Sequence, residues 1–169
     1  MRYFWLIAAL TAALDLGSKH AVFAWLATRG VFDLIPGYLS FTRHINEGAL
    51  WGLGSGAPLA LLLLTAAMMA VVTWLAWSHR RKPAPLWALG LILGGAVGNF
   101  YDRGLTTAEL YGERLSGVRD FIWMRVPDVY SWPVYNLADV AIVVGVARFA
   151  LWSFRAPPPP PPPPSAPSA

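Results

Sequence analysis

The stretch VYNLADVAIVVGVARFALWSF, from Val134 to Phe154, decides the fold because it is long enough to cross a bilayer and yet carries an acid, Asp139, near its start. A helix needs about 20 apolar residues to cross the hydrocarbon core of a membrane. An ionisable side chain inside such a segment is costly, and it is a functional-site hypothesis by default. A second acid, Asp120, precedes the apolar residues FIWM. Two carboxylates in a site of low dielectric constant tend to share one proton, which is the electrostatic basis of aspartic-protease chemistry.

Three more apolar segments extend from about Tyr3 to Ala27, from about Leu59 to Trp77 and from about Leu86 to Tyr101. The 169-residue chain is 56% hydrophobic and 13% charged, which indicates a membrane protein of one domain. It has no cysteine, so disulfides, thiolate metal sites and a cysteine nucleophile are excluded. We predict an all-α membrane protein with a four-transmembrane-helix bundle over residues 1–155. Residues 156–169, with eight consecutive prolines, are predicted to form a disordered cytoplasmic tail.

The first apolar segment must pass through Asp15 and Lys19 to span the membrane. These residues lie four apart on one helical face, so their charges can neutralise each other. A cleavable signal peptide with Arg2 as its basic flank is the competing interpretation. Three later apolar segments, and the lack of an Ala-x-Ala-like cleavage site in a polar loop nearby, favour a membrane span.

The orientation follows from the short loop between the second and third segments, which carries Arg80, Arg81 and Lys82. The positive-inside rule places this loop and both termini in the cytoplasm. The other two loops then lie outside. Residues 38–45 of the first outer loop alternate like a half-buried strand, so we expect a small extracytoplasmic β element there. The second outer loop, residues 102–133, is rich in charged and aromatic residues.

Polar residues from all these parts should reach one depth, near the outer boundary of the hydrocarbon. A helix rises 1.5 Å per residue, and this rise puts the polar residues of the first, third and fourth segments at similar heights. Unrelated structural polar residues would be scattered through the bilayer, so the convergence predicts a single site. Its members are Asp15, Lys19, Asn46, Asn99, Asp102, Arg103, Asp120, Asn136 and Asp139.

Five blocks of the sequence resemble the bacterial lipoprotein signal peptidase (signal peptidase II) family. Asp15-Leu16-Gly17-Ser18-Lys19 is similar to D-x-x-[ST]-K, and Asn46-Glu47-Gly48-Ala49 to N-x-G-A. Residues 94–103, GGAVGNFYDR, match G-G-A-x-G-N-x-x-D-R. Residues 118–121, VRDF, resemble V-x-D-F, and residues 132–139, WPVYNLAD, resemble [FW]-P-x-[FY]-N-x-A-D. The chain departs from the family at Leu50, where a second alanine is usual, and in residues 104–117, which are longer than usual.

The resemblance implies an aspartic endopeptidase of the bacterial inner membrane whose active site faces the periplasm or the cell exterior. Such enzymes remove signal peptides from prolipoproteins just before the cysteine that carries diacylglycerol. Asp120 and Asp139 match the catalytic pair. Asn46, Asn99, Arg103 and Asn136 match positions that line the pocket, and Asp15, Lys19 and Asp102 match residues that shape or stabilise it. We expect a monomer that acts on lipidated prolipoproteins within membrane lipid, with no cofactor, no metal and no nucleic-acid partner.

Structural alternatives exist for several of these residues. Asp15 with Lys19 fits an internal ion pair better than catalysis, and Asp102 with Arg103 fits a helix-end pair. The three asparagines can also bridge helices, as amides in membranes do. For the whole protein, one rival is a transporter with membrane acids as a proton relay, but the inner halves of the second and third segments carry no charge. The other rival is a noncatalytic assembly factor that acts through the proline tail.

Overall fold

The computed structural model describes residues 1–48, 56–82, 84–110 and 112–155. It contains four long helices, α1 (Arg2–Leu26), α2 (Pro58–Ser78), α3 (Leu86–Leu105) and α4 (Leu137–Arg155). The four predicted helical segments are therefore confirmed to within a few residues at each end. The predicted tail and Leu50 lie outside the described residues.

Among the described residues, three helices are long and apolar enough to cross a membrane: α1, α2 and α4. Helix α3 has 20 residues, but its last two turns carry Asn99, Asp102 and Arg103. These polar groups interrupt its apolar character at the end where the predicted site lies.

Helix α3 occupies the middle of the bundle, and the other three helices pack against it. Small residues allow this close approach. A Cβ atom at Gly94 would lie 2.5 Å from the carbonyl oxygen of Ala8 in α1, and one at Gly95 would lie 2.6 Å from that of Ala138 in α4. The apolar core of α1, α2 and α3 includes Phe4, Ala8, Val72, Ala76, Leu89, Ile92 and Leu93.

The predicted β element of the first outer loop is present, but the β structure is larger than predicted because the second outer loop also forms strands. Strands β1 (Phe32–Ile35), β2 (Leu39–Asn46), β5 (Val118–Val126) and β6 (Tyr130–Ser131) form an antiparallel sheet in the order β1-β2-β5-β6. Strands β3 (Thr107–Leu110) and β4 (Glu113–Ser116) form a separate hairpin within the long insertion. The predicted strand at residues 38–45 is confirmed as β2. Strand β2 pairs along one edge with β1 of its own loop and along the other edge with β5 of the second loop, so its backbone groups have partners on both sides.

The pairing of β2 with β5 brings distant residues to one end of the bundle. Asn46 lies opposite Val118, and His44 lies opposite Asp120. Tyr135 then pairs with Ile122, through backbone hydrogen bonds of 2.8 and 3.0 Å. The beginning of α4 is thereby tied to β5 two residues beyond Asp120.

Candidate active site

The N-terminus of α4 orients two of the predicted site residues. The backbone N–H of Asn136 donates to Asp139 Oδ2 at 3.1 Å, and the backbone N–H of Asp139 donates to Asn136 Oδ1 at 3.0 Å. This reciprocal arrangement is a capping box, which satisfies helix N–H groups that have no partner within the helix. Asn136 directly precedes α4 and Asp139 lies in its first turn, so the spacing of three residues lets the two residues cap the helix start reciprocally.

Asp120 lies on β5 with its carboxylate inside the protein, and the residue is 1% exposed. Asn136 Nδ2 donates to Asp120 Oδ1 at 2.5 Å, and Asn46 Nδ2 donates to Asp120 Oδ2 at 3.1 Å. Two neutral amides from different elements therefore hold this carboxylate. Neither adds charge to the site.

Asn99 of α3 connects the two acids. Its Nδ2 donates to Asp139 Oδ1 at 2.9 Å, and its Oδ1 accepts from Asn136 Nδ2 at 3.2 Å. An unbroken series of hydrogen bonds thus passes from Asp120 through Asn136 and Asn99 to Asp139. These contacts fix the orientation of both carboxylates, and through Asn99 and Asn136 they also join α3 to the start of α4.

Both aspartates line one cavity of about 520 Å³, together with Asn46, Asn99 and Arg103. One wall is apolar and belongs to α4, which contributes Val140, Ile142, Val143 and Val144. The cavity therefore combines two acidic side chains with an apolar wall. Within the described residues, no group of three or more histidines, cysteines or acids has the arrangement of a metal site.

The electrostatics of this cavity favour a proton on Asp120. Burial, and after it the nearby charge of Asp139, together raise the pKa of Asp120 to about 7. Hydrogen bonds from Asn136 and Asn46 oppose the shift but are outweighed. Near neutral pH, the pair thus holds a proton that an exposed carboxyl would have lost.

A buried ionic cluster supports the site from behind. Lys19 Nζ lies 2.7 Å from Asp15 Oδ2 and 3.2 Å from Asp102 Oδ2, and all three side chains are fully buried. It also donates to Asn99 Oδ1 at 2.9 Å. Asp15 Oδ1 accepts from the backbone N–H of Ala138 at 2.9 Å, which joins α1 to the first turn of α4. The predicted Asp15–Lys19 pair is confirmed, and it belongs to a larger network.

The alternative that Asp102 and Arg103 form a helix-end pair is wrong. Asp102 instead binds Arg119 of β5, through the backbone N–H at 3.0 Å, Nε at 3.1 Å and Nη2 at 2.7 Å. Arg103 points the other way, into the cavity, where its Nη2 donates to the carbonyl oxygen of Gly48 at 3.2 Å. Consecutive helical residues face about 100° apart, so their side chains reach different partners.

The sequence analysis gives Arg119 no role in the site, although the structure places it against Asp102. It directly precedes Asp120, and its contacts with Asp102 tie this part of β5 to the end of α3. The available signal is the strand over residues 118–126. If this strand is predicted, Arg119 precedes Asp120 within it and becomes a candidate partner for an acid at the end of α3.

Comparisons with known proteins give one consistent result. The sequence profile of the family described as signal peptidase (SPase) II matches residues 7–155. A lipoprotein signal peptidase of Rhodopirellula baltica is 38% identical over 155 residues, covering 88% of this chain and 70% of that protein. One from Chlorobium luteolum is 34% identical over 163 residues, covering 94% and 95%. A bacterial membrane enzyme solved by the in meso method at 2.3 Å resolution superposes with a TM-score of 0.70 at 27% identity, covering 92% of this chain and 89% of the other.

Proposed function

This chain belongs to the signal peptidase II family, and from that premise we propose that it is an aspartic endopeptidase that removes signal peptides from diacylglyceryl-modified prolipoproteins. Cleavage occurs just before the lipidated cysteine. Asp120 and Asp139 are the catalytic pair. The observation that carries the proposal is that the two carboxylates line one cavity and are joined through Asn136 and Asn99.

Peptide hydrolysis needs a base to take a proton from water and an acid to protonate the leaving nitrogen. The raised pKa of Asp120, which comes from burial and then from the charge of Asp139, makes Asp120 the acid. Asp139 takes the proton from the attacking water. The carboxylate of Asp139 already accepts from Asn99 and from the backbone of Asn136, so its oxygens are oriented before substrate arrives.

Arg103 supplies the charge that stabilises the substrate carbonyl. Its Nη1 donates to Thr65 Oγ1 at 3.4 Å, and its Nη2 donates to Gly48. Among the described residues, the buried Nε has no hydrogen-bond partner. An oxyanion that develops on the scissile carbonyl is a suitable acceptor for this donor, and such stabilisation is commonly a large part of catalysis.

The apolar surroundings suit the lipid on the substrate. Helices α2 and α4 both pack on α3, and a recess of about 270 Å³ lies between Leu61 and Met68 on one side and Ile142 on the other. Asn99 and Arg103 line this recess as well as the catalytic cavity. The acyl chains of the substrate enter here laterally from the bilayer while the peptide bond reaches the acids.

The proposal includes the topology. All four helices cross the bacterial inner membrane, with α3 surrounded by the other three, so that its polar end is shielded from lipid. The loop with Arg80 and Arg81 and both termini face the cytoplasm, in accord with the positive-inside rule. The sheet and the catalytic pair then face the periplasm or the cell exterior. One chain carries all of the proposed site residues and acts as a monomer.

A cleavage assay with matched substrates tests this function. The purified full chain is incubated with a prolipoprotein precursor that carries diacylglycerol on its cysteine, and with the same precursor without lipid. Mass spectrometry should show release of the signal peptide and a new N-terminus at the lipidated cysteine, with much slower cleavage of the unlipidated precursor. Cleavage at another bond, or equal rates for both substrates, would contradict the assignment.

A further inference from the structure

A further cavity lies toward the opposite end of the bundle and has no part in the proposed catalysis. Helices α1, α2 and α3 border a groove of about 630 Å³ with three tryptophans in its walls. We call it the tryptophan groove; its main lining residues are Trp5, Met69, Trp74, Trp77, Leu93 and Val97. The three indole side chains are each at least half exposed.

The tryptophan groove lies in the half of the bundle that one leaflet of a bilayer would surround. Trp5 is near the start of α1 and Trp77 near the end of α2, whereas Met69 and Val97 lie two to three turns deeper in their helices. The groove thus begins at the end of the bundle remote from the catalytic pair and extends toward the middle of the membrane. Tryptophan is enriched at the membrane interface, where its ring lies at the level of the lipid headgroups.

Basic residues lie at the same end of the bundle as the mouth of the tryptophan groove. Arg2 is one helical turn before Trp5, is exposed, and has its guanidinium carbon 5.0 Å from the Tyr3 ring centre. Arg80 is one turn after Trp77, with its guanidinium carbon 4.2 Å from the Trp77 ring centre and its Nη1 donating to the Trp77 carbonyl oxygen at 2.7 Å. Arg81 and Lys82 follow directly in the sequence and are exposed. The α-amino group and the N-terminal turn of α1, which has no acidic residue, add to the positive field.

No acidic residue offsets this charge. The chain has nine acidic residues, and every one lies in the catalytic end of the molecule or in the two long loops there, from Asp15 to Asp139. The remote end of the bundle is therefore purely basic. A second copy of the chain packed on the same face would bring like charges together, so the electrostatics disfavour a dimer as the occupant.

We propose that the tryptophan groove binds an anionic diacyl phospholipid, with an acyl chain along the groove and the headgroup phosphate between Arg2 and Arg80. Basic pockets between transmembrane helices are suited to such headgroups. Guanidinium groups pair with phosphate oxygens through two parallel hydrogen bonds. The preference for an anionic headgroup comes from net charge, because a zwitterionic headgroup carries a cation that the basic residues repel. This site is separate from the proposed peptidase activity and does not depend on it.

Native mass spectrometry of the full chain in detergent tests the proposal, with phosphatidylglycerol and phosphatidylcholine of identical acyl chains as probes. One phosphatidylglycerol per chain should bind at concentrations that leave phosphatidylcholine unbound. Each basic group near an anionic lipid adds roughly fivefold to affinity, so the double substitution Arg2→Gln with Arg80→Gln should weaken binding about 25-fold. Equal binding of the two lipids to the wild-type chain would overturn the proposal.

Two further variants separate this site from general charge effects. The pair Arg148→Gln with Arg155→Gln removes the same charge from α4 at the same end but outside the groove, and it should change binding less than threefold. Ala70→Trp fills the groove and should weaken phosphatidylglycerol binding at least tenfold while prolipoprotein cleavage continues at the wild-type rate. If the α4 pair weakens binding as much as the groove pair, if Ala70→Trp has no effect, or if a lipid-free dimer forms instead, the groove is not the site.

Discussion

Removing the Arg119 side chain should weaken both the fold and the catalytic rate. Arg119 donates two side-chain hydrogen bonds to Asp102, whose carboxylate is fully buried, while its own side chain is 13% exposed. A hydrogen bond to a charged group contributes about 1.5–3 kcal/mol, and removing one partner of a buried pair costs about 3–5 kcal/mol. In Arg119→Ala, Asp102 keeps Lys19, Thr106 and the backbone N–H at position 119. We therefore expect a loss at the lower end, about 2–3 kcal/mol.

The catalytic effect follows from the place of Arg119 next to Asp120. A displacement of about 1 Å in a catalytic group costs about a hundredfold in rate. Since Arg119 positions the strand and does not contact substrate, kcat should fall 10- to 100-fold with little change in KM, and Arg119→Lys should restore part of it. Thermal unfolding in detergent and steady-state cleavage of a lipidated peptide measure the two effects.

Arg125 provides a matched control on the same strand. It also pairs with an aspartate, Asp33, but the two side chains are 25% and 49% exposed. A partly exposed ion pair contributes only about 0–1 kcal/mol. Arg125 also donates to the buried Ser40 Oγ at 2.7 Å, but Ser40 keeps its hydrogen bond to Asp33 when Arg125 is removed. Arg125→Ala should therefore cost less stability than Arg119→Ala and leave the cleavage rate unchanged. Equal effects of Arg119→Ala and Arg125→Ala, or a wild-type kcat in Arg119→Ala, would refute the positioning argument.

Two more predictions concern the carboxyl groups and the helix packing. The pKa of Asp120 is raised to about 7 by burial and then by the charge of Asp139, and the proposed acid must be protonated to act. We therefore expect kcat/KM to fall as the pH rises through about 7. In Asn46→Ala this fall should move to higher pH, because the variant removes a hydrogen bond that lowers the pKa of Asp120. A profile that stays level well above that pH would contradict the assignment of the acid. Gly98→Ala should lower stability by about 1–3 kcal/mol because its Cβ would overlap the Asp15 carboxylate. Gly104→Ala on the same helix meets only a side-chain atom at 3.6 Å and should be neutral or stabilising; similar melting temperatures for the two variants would exclude the packing argument.

Much of the bundle could be predicted because its signals are local. Runs of apolar residues predict helices. The spacing of Asp15 with Lys19 predicts that the two side chains share one helix face, and so does the spacing of Asn136 with Asp139. The height of each polar residue along the bundle is predictable as well, because helix rise converts sequence position into height. Apolar runs, residue spacings and helix rise together predict that these polar residues lie at one end of the molecule.

The sheet and the ionic partners could not be predicted in this way. Strand β5 pairs with β2 across more than 70 residues of chain, and such pairing depends on nonlocal contacts that hydropathy does not record. The choice of Arg119 rather than Arg103 as the partner of Asp102 depends on that pairing. Asp120 and Asp139 stand out in the sequence by their position next to apolar segments and by their match to the family blocks, whereas the hydrogen bonds that join them through Asn99 and Asn136 depend on the fold.

The most direct test of the central claim is cleavage of a lipidated precursor by Asp120→Asn and Asp139→Asn. Each variant keeps the size of the side chain and removes its ability to exchange a proton, so both should insert and fold yet release no signal peptide. Asp128→Asn is the matched control, because Asp128 is exposed in a turn at φ 58°, a conformation that asparagine adopts well; it should cleave at the wild-type rate. Wild-type cleavage by either catalytic variant would contradict the claim that these two aspartates share the work of hydrolysis.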